Sequence, residues 1–169
     1  LPGMKERTIT LFAFTKAYAM DGWRLGYVAA AEVLMPPLMK ITTNDATHVN
    51  TFIQYGALAA VTGDSSVLAT LVARDRERRD YVVGRLNQMP GVTCADVQGA
   101  IYAFPDITAT GLHAQECADR LLRDTGVVVE AGSFYGTAGE GHLRVCFGCA
   151  ELEVLADAMD RMQRFFNSL

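Results

Sequence analysis

Lys16 and Arg24 stand eight residues apart between two apolar runs, and that stretch carries the most chemistry in this 169-residue chain. Ile9 to Phe14 precedes the lysine and Leu25 to Ala31 follows the arginine. Each run reads as a strand, the first as a buried one. A loop between two such strands sets an amine and a guanidinium at the mouth of one sheet. An amine there can condense with a carbonyl-bearing cofactor, and a guanidinium can grip that cofactor's phosphate. The tract Asp21-Gly22-Trp23-Arg24-Leu25-Gly26-Tyr27 holds two glycines and the only tryptophan, a concentration that suits close backbone approach and unusual dihedrals. Taken singly, a lysine past a strand is a solvated end cap and an arginine before one is a surface ion-pair partner. The combination is what argues for a site.

A second constellation lies far along the chain. Gly126-Val127-Val128-Val129-Glu130-Ala131-Gly132-Ser133-Phe134-Tyr135-Gly136 joins a short apolar run to a glycine-containing loop, and Gly141-His142-Leu143-Arg144-Val145 places Arg144 in the next apolar run. Cys146-Phe147-Gly148-Cys149 has the spacing of a redox or metal pair. No second close pair exists, and His48, His113 and His142 show no ligand spacing to it, so Cys146 reads as a small hydrophobe inside a strand over Leu143 to Phe147.

The segment Phe14-Thr15-Lys16-Ala17-Tyr18-Ala19-Met20-Asp21-Gly22-Trp23-Arg24-Leu25-Gly26-Tyr27 resembles the Schiff-base lysine motif of the class I/II aminotransferases, the fold-type I enzymes that use pyridoxal 5'-phosphate. The tract from Gly126 to Val145 is similar to the C-terminal signature of the same family, and Pro90-Gly91-Val92 through Phe104 resembles the hairpin that opens its small domain. The resemblance implies an α/β chain: the C-terminal piece of the large pyridoxal-phosphate-binding domain over residues 1–75, then the α+β small domain over 76–169, with the boundary inside a long helix near 70–80. It implies Lys16 as catalytic and cofactor-binding, Arg24 and Thr15 as phosphate-binding, and Arg144 as the clamp on a substrate α-carboxylate. Arginine suits that last task because its planar guanidinium meets a carboxylate bidentately and stays charged. The substrates implied are an amino acid and a keto acid, and the assembly a homodimer or a self-associating chain.

Two positions depart from the family pattern. Ala13 stands where a phosphate-binding serine is common, leaving Thr15 as the nearby hydroxyl, and Ala131 replaces a usual proline. Too few residues precede Lys16 to carry the family's ring-stacking aromatic, or its aspartate on the pyridine nitrogen that sustains the electron sink. The chain is therefore expected to be a fragment, inactive alone. A β-lyase of the same fold and a non-catalytic truncated interaction module are the rival expectations.

The elements that must position these residues alternate. Helices are expected over 32–43, with Pro36-Pro37 in the first turn, over 50–62, and from an Asp64-Ser65-Ser66 cap to about Met89. Val92 to Val97 and Ala100 to Phe104 read as a hairpin turning at Gln98-Gly99. A helix over 113–125 ends at Gly126, a short strand covers 127–130, and an amphipathic helix closes the chain over 151–166. Gln54 reads as helix packing or capping. The mixed-sign run Arg74 to Asp80 reads as a solvated, ion-paired face.

Composition sets outer bounds. Half the residues are hydrophobic and a fifth are charged, the range of a globular protein. A net charge of −4 gives no support for nucleic-acid binding, which wants a basic face. No apolar run is long enough to span a membrane, and the first residues lack the layout of a signal peptide. Reduced thiols fit a cytoplasmic location.

Overall fold

A computed structural model describes the whole chain, Leu1–Leu169, which divides into two compact units, Leu1–Val72 and Ala73–Leu169. The first unit opens with strand β1 (Thr10–Ala13), which pairs antiparallel with β2 (Gly26–Ala29) in the register Thr10↔Ala29 to Ala13↔Gly26. Both strands are exposed along their length, so the expectation of a buried strand before the lysine fails within this chain. Each of these strands has only one partner, and a two-stranded ribbon shields little of its own surface from water.

Helix α1 (Met35–Asp45) carries Pro36 and Pro37 in its first turn, where a missing N–H costs nothing. Helix α2 (Thr51–Thr62) begins after Asn50, and the Gln54 side-chain amide donates to the Val49 carbonyl at 2.7 Å, which makes Gln54 a stabiliser of the helix start. Helix α3 (Ser66–Leu86) starts at the expected cap: the Asp64 carboxylate accepts from the Ser66 amide at 2.9 Å and from its hydroxyl at 2.6 Å. Those bonds favour the ionised form and hold the Asp64 carboxyl below its ordinary pKa.

The second unit builds a three-stranded sheet in the order β3 (Tyr102–Ala103), β5 (Leu143–Cys146), β4 (Glu130–Ala131), antiparallel throughout. Helix α4 (Ala114–Thr125) buries Ala114, Cys117, Ala118 and Leu121, the i, i+3, i+4, i+7 stripe. Helix α5 (Leu152–Asn167) buries Leu155, Met159, Met162, Phe165 and Phe166 on its own stripe. These stripes meet Val82, Leu86 and the inward residues of the sheet in one continuous core. Arg78 and Arg85 reach from the long helix to Glu151 and Asp160, each at 2.7 Å, so the charged run is in part a brace to α5 as well as a solvated face.

The expected hairpin over 92–104 does not form. Residues 92–97 have no strand partner along their length. The Asn87 side chain takes their place in the ladder, accepting from the Cys94 amide at 2.8 Å and donating to its carbonyl at 3.0 Å, while Thr93 makes a single bridge to Asp106. Tyr102 and Ala103 pair instead with Cys146 and Val145 of β5. The strand expected over 127–130 shortens to Glu130–Ala131. Cys146 is also not a core residue of its strand. Leu143 and Val145 face inward, and Arg144 and Cys146 share the other, half-buried face. All four cysteines are free thiols. No single helix is long and apolar enough to cross a membrane.

Candidate functional site

The lysine loop is the turn that joins β1 to β2. Phe14 and Met20 are buried at its two ends and pack with Ala57 of α2, so the small core of the first unit lies directly beneath the turn. The Tyr18 and Met20 amides both donate to the Phe14 carbonyl, at 3.3 and 3.4 Å, and the Ala19 amide to Lys16 O at 3.2 Å. Ala19 is held at φ 52° and Arg24 at φ 53°, a left-handed conformation that non-glycine residues adopt only where the surroundings impose it. The Phe14 amide donates to Leu25 O at 3.2 Å, which ties together the backbones beside Thr15 and Arg24. Thr15 is half-buried, whereas Lys16 and Arg24 are exposed.

One indole fixes the far side of the turn. Gly56 of α2 lies under the Trp23 ring, so close that a Cβ there would overlap its carbons. The absence of a side chain at Gly56 is what lets Trp23 lie on the helix, and Trp23 in turn ends the tight turn that presents Arg24. The Arg24 guanidinium donates from Nη1 to the Asp21 carbonyl at 2.9 Å and pairs with no carboxylate, leaving most of its five donors available. The turn thus carries an amine, a hydroxyl and a guanidinium that is in no salt bridge, although Asp21 lies within the same turn. That donor set fits a group bearing both a carbonyl and a phosphate.

In the second unit Arg144 sits among aromatic rings. Its guanidinium lies over Tyr102 at 4.4 Å and over Tyr135 at 5.0 Å from the ring centres. Nη2 donates to Glu130 Oε1 at 2.5 Å, while the buried Nε has no partner. The Tyr135 hydroxyl donates to the other Glu130 oxygen, a bond that raises the pKa of the phenol. Phe104 stacks on His142 at 5.2 Å and meets Tyr135 edge-on at 6.4 Å, which extends the aromatic rim. The loop that brings Tyr135 to this face folds back at Gly132 and Gly139. Each of the two passes so near the other's carbonyl that neither position has room for a Cβ. Gly132 N also donates to His142 O at 2.8 Å.

Glu140, at the end of that loop, accepts from the Ala114 amide at 2.8 Å and so caps α4, whose own N-cap residue His113 supplies no side-chain bond. This bond is the main reason that the Glu140 carboxyl sits below its ordinary pKa.

The structure therefore gathers Thr15, Lys16 and Arg24 on one turn of the first unit and gives Arg144 a setting of its own in the second. Sequence reasoning missed Glu130, Tyr102 and Tyr135 around Arg144. Glu130 had one available signal, an acid ending the apolar run one strand before an arginine. The two tyrosines had none, because their proximity depends on which strands pair.

Comparison with known proteins bears on the whole of this arrangement. Residues 2–162 match the family described as aminotransferase class I and II. The chain belongs to this family. It is 42% identical over 166 residues to aromatic-amino-acid aminotransferase 2 of Thermococcus litoralis, covering 97% of this chain and 42% of that protein. Aspartate aminotransferase of Pyrococcus abyssi is 42% identical, with the same coverage. Among solved structures, aromatic aminotransferase from Pyrococcus horikoshii superposes with a TM-score of 0.94 at 39% identity over 99% of this chain and 45% of that one. The aspartate aminotransferase of Rhizobium meliloti gives 0.90 at 27% identity, over 99% of this chain and 44% of that one. The chain thus spans less than half the length of these aminotransferase relatives.

Proposed function

We propose that this chain is the C-terminal part of a pyridoxal-phosphate-dependent aminotransferase that moves an amino group between an α-amino acid and a 2-keto acid. The observation that carries the proposal is that Thr15, Lys16 and Arg24 share the one turn joining β1 to β2, with the lysine and the arginine in no salt bridge, in a chain of the aminotransferase family. Residues 1–75 are read as the end of the cofactor-binding domain and 76–169 as the small domain. The parent protein is read as a cytoplasmic homodimer, with the four free thiols in keeping with a reducing compartment.

In this reading Lys16 Nζ is the point of covalent attachment, and Arg24 with the Thr15 hydroxyl neutralises and orients the phosphate. When bound, the cofactor supplies an electron sink that stabilises negative charge at the substrate α-carbon. Lys16 Nζ would take the proton from that carbon as general base and return it as general acid. Arg144 anchors the substrate α-carboxylate, which fixes the amino group and is worth rate as well as affinity. Arg24 keeps donors free for that role, because its present bond goes to a carbonyl and occupies one donor only.

The test is borohydride trapping of pyridoxal phosphate on the parent protein, followed by peptide mapping. Label confined to Lys16 is the expected result. Label spread evenly over Lys5 and Lys40 would sink the assignment.

A further inference from the structure

Glu130 stands directly opposite Arg144 in the β4–β5 ladder, so their side chains share the face of the sheet that points away from the core. Its carboxylate already does to the guanidinium what a substrate carboxylate would do. We propose that Glu130 is a built-in competitor for Arg144, a carboxylate that occupies the guanidinium until a substrate carboxylate displaces it. The proposal rests on the reading of Arg144 as the carboxylate anchor.

Three features separate a displaceable partner from a permanent structural pair. Glu130 engages the guanidinium through Nη2 alone, and the buried Nε stays without a partner, so an acceptor that gripped two N–H groups would satisfy Arg144 better than Glu130 does. The side chains retain 26% and 43% of their exposure, which gives water access and keeps the pair weak. Glu130 also has another place to go. Tyr135 donates to its second oxygen, so a displaced carboxylate keeps one hydrogen bond and swings toward the loop and not into the core. Tyr102 and Tyr135 meanwhile cover the guanidinium rings-on, which keeps it in place during the exchange.

The exchange balances simply: one carboxylate leaves Arg144 and another takes its place, and no bond other than hydrogen bonds is made or broken. Its consequence is a threshold on affinity. A partly exposed ion pair shifts an equilibrium by up to about five-fold, and every carboxylate substrate must overcome that factor.

Glu130→Gln in the parent protein tests this, since the amide keeps size and an acceptor oxygen while it removes the charge. The KM for both amino acid and keto acid should fall by about five-fold with kcat little changed. The Kd of propionate, an unreactive carboxylate titrated calorimetrically, should fall by the same factor. In the double variant with Arg144→Ala, the gain from Glu130→Gln should vanish. A KM and propionate Kd that are unchanged or raised in Glu130→Gln would make the pair a structural brace and overturn the proposal, and the smaller Glu130→Ala must agree in direction for it to stand. If Arg144→Ala alone leaves KM untouched, the anchor reading itself fails and this inference falls with it. If Arg144→Ala raises KM while Glu130→Gln does nothing, only the competitor is lost.

Discussion

Arg144 makes one bond from five donors, under two aromatic rings, on a strand whose alternate residues are buried. That setting holds the side chain where an anion can reach it. If Arg144 is the carboxylate anchor proposed above, Arg144→Ala in the parent should lower kcat/KM by about 2–4 kcal/mol, mainly through KM. Cofactor absorbance should barely change, because Arg24 and Thr15 are read as the phosphate residues. Loss of cofactor with amino acid affinity retained would mean that the two arginines have been assigned in reverse. That Thr15, Lys16 and Arg24 share one turn was legible in the sequence because a single short loop joins their strands. The surroundings of Arg144 were not, since Tyr102, Glu130 and Tyr135 arrive from three segments with no local pattern to link them.

Among the elements, the helices were legible to within about three residues at each end. Asp64 at the start of α3, the proline pair in α1 and Gly126 after α4 are local signals that act within one turn. The hairpin over 92–104 was misread because two apolar runs around Gln98-Gly99 satisfy every local rule, yet Asn87 supplies the backbone partners of Cys94 first. Nothing in the period-2 pattern of Val92 to Val97 announces a side chain from the turn that follows α3.

The Gly56–Trp23 packing gives this scale its own test. Alanine is the better helix former by about 1 kcal/mol, yet at Gly56 its Cβ would overlap the indole. Gly56→Ala should therefore push Trp23 outward, seen as a red shift in the emission of the sole tryptophan, and should cost stability despite the gain in propensity. Unchanged emission would show that Trp23 is not held by this helix.

At the scale of the whole molecule the two units differ in how much they bury. The second has one continuous core that runs through both helices and the sheet. The first buries only Phe14, Met20 and Ala57, while Leu11, Val33, Ile41, Phe52 and Tyr55 are exposed at 66–77%. A groove of about 730 Å³ in that unit is lined by apolar side chains that include Leu25, Met39, Leu58 and Val61. Surfaces of this kind are covered in stable proteins or they associate. The isolated chain should therefore self-associate in light scattering and give no turnover in a coupled keto-acid assay. A monodisperse monomer that transaminates steadily would overturn the reading of the chain as part of a larger enzyme.

Strand β5 has a further consequence, and it concerns fidelity of assembly. It is the central strand, clasped by β3 on one side and β4 on the other, and its four residues alternate between core and open face. A slip of one position against either neighbour would carry the Arg144 guanidinium into the core and turn Leu143 and Val145 out to water. Burying an unpaired charge costs far more than any loosely packed alternative recovers. The error that would misplace the arginine is thus the same error that would ruin the core, and a molecule with the right interior has Arg144 on the open face by necessity. Quality control over folding doubles here as quality control over chemistry, with no residue set aside for the purpose.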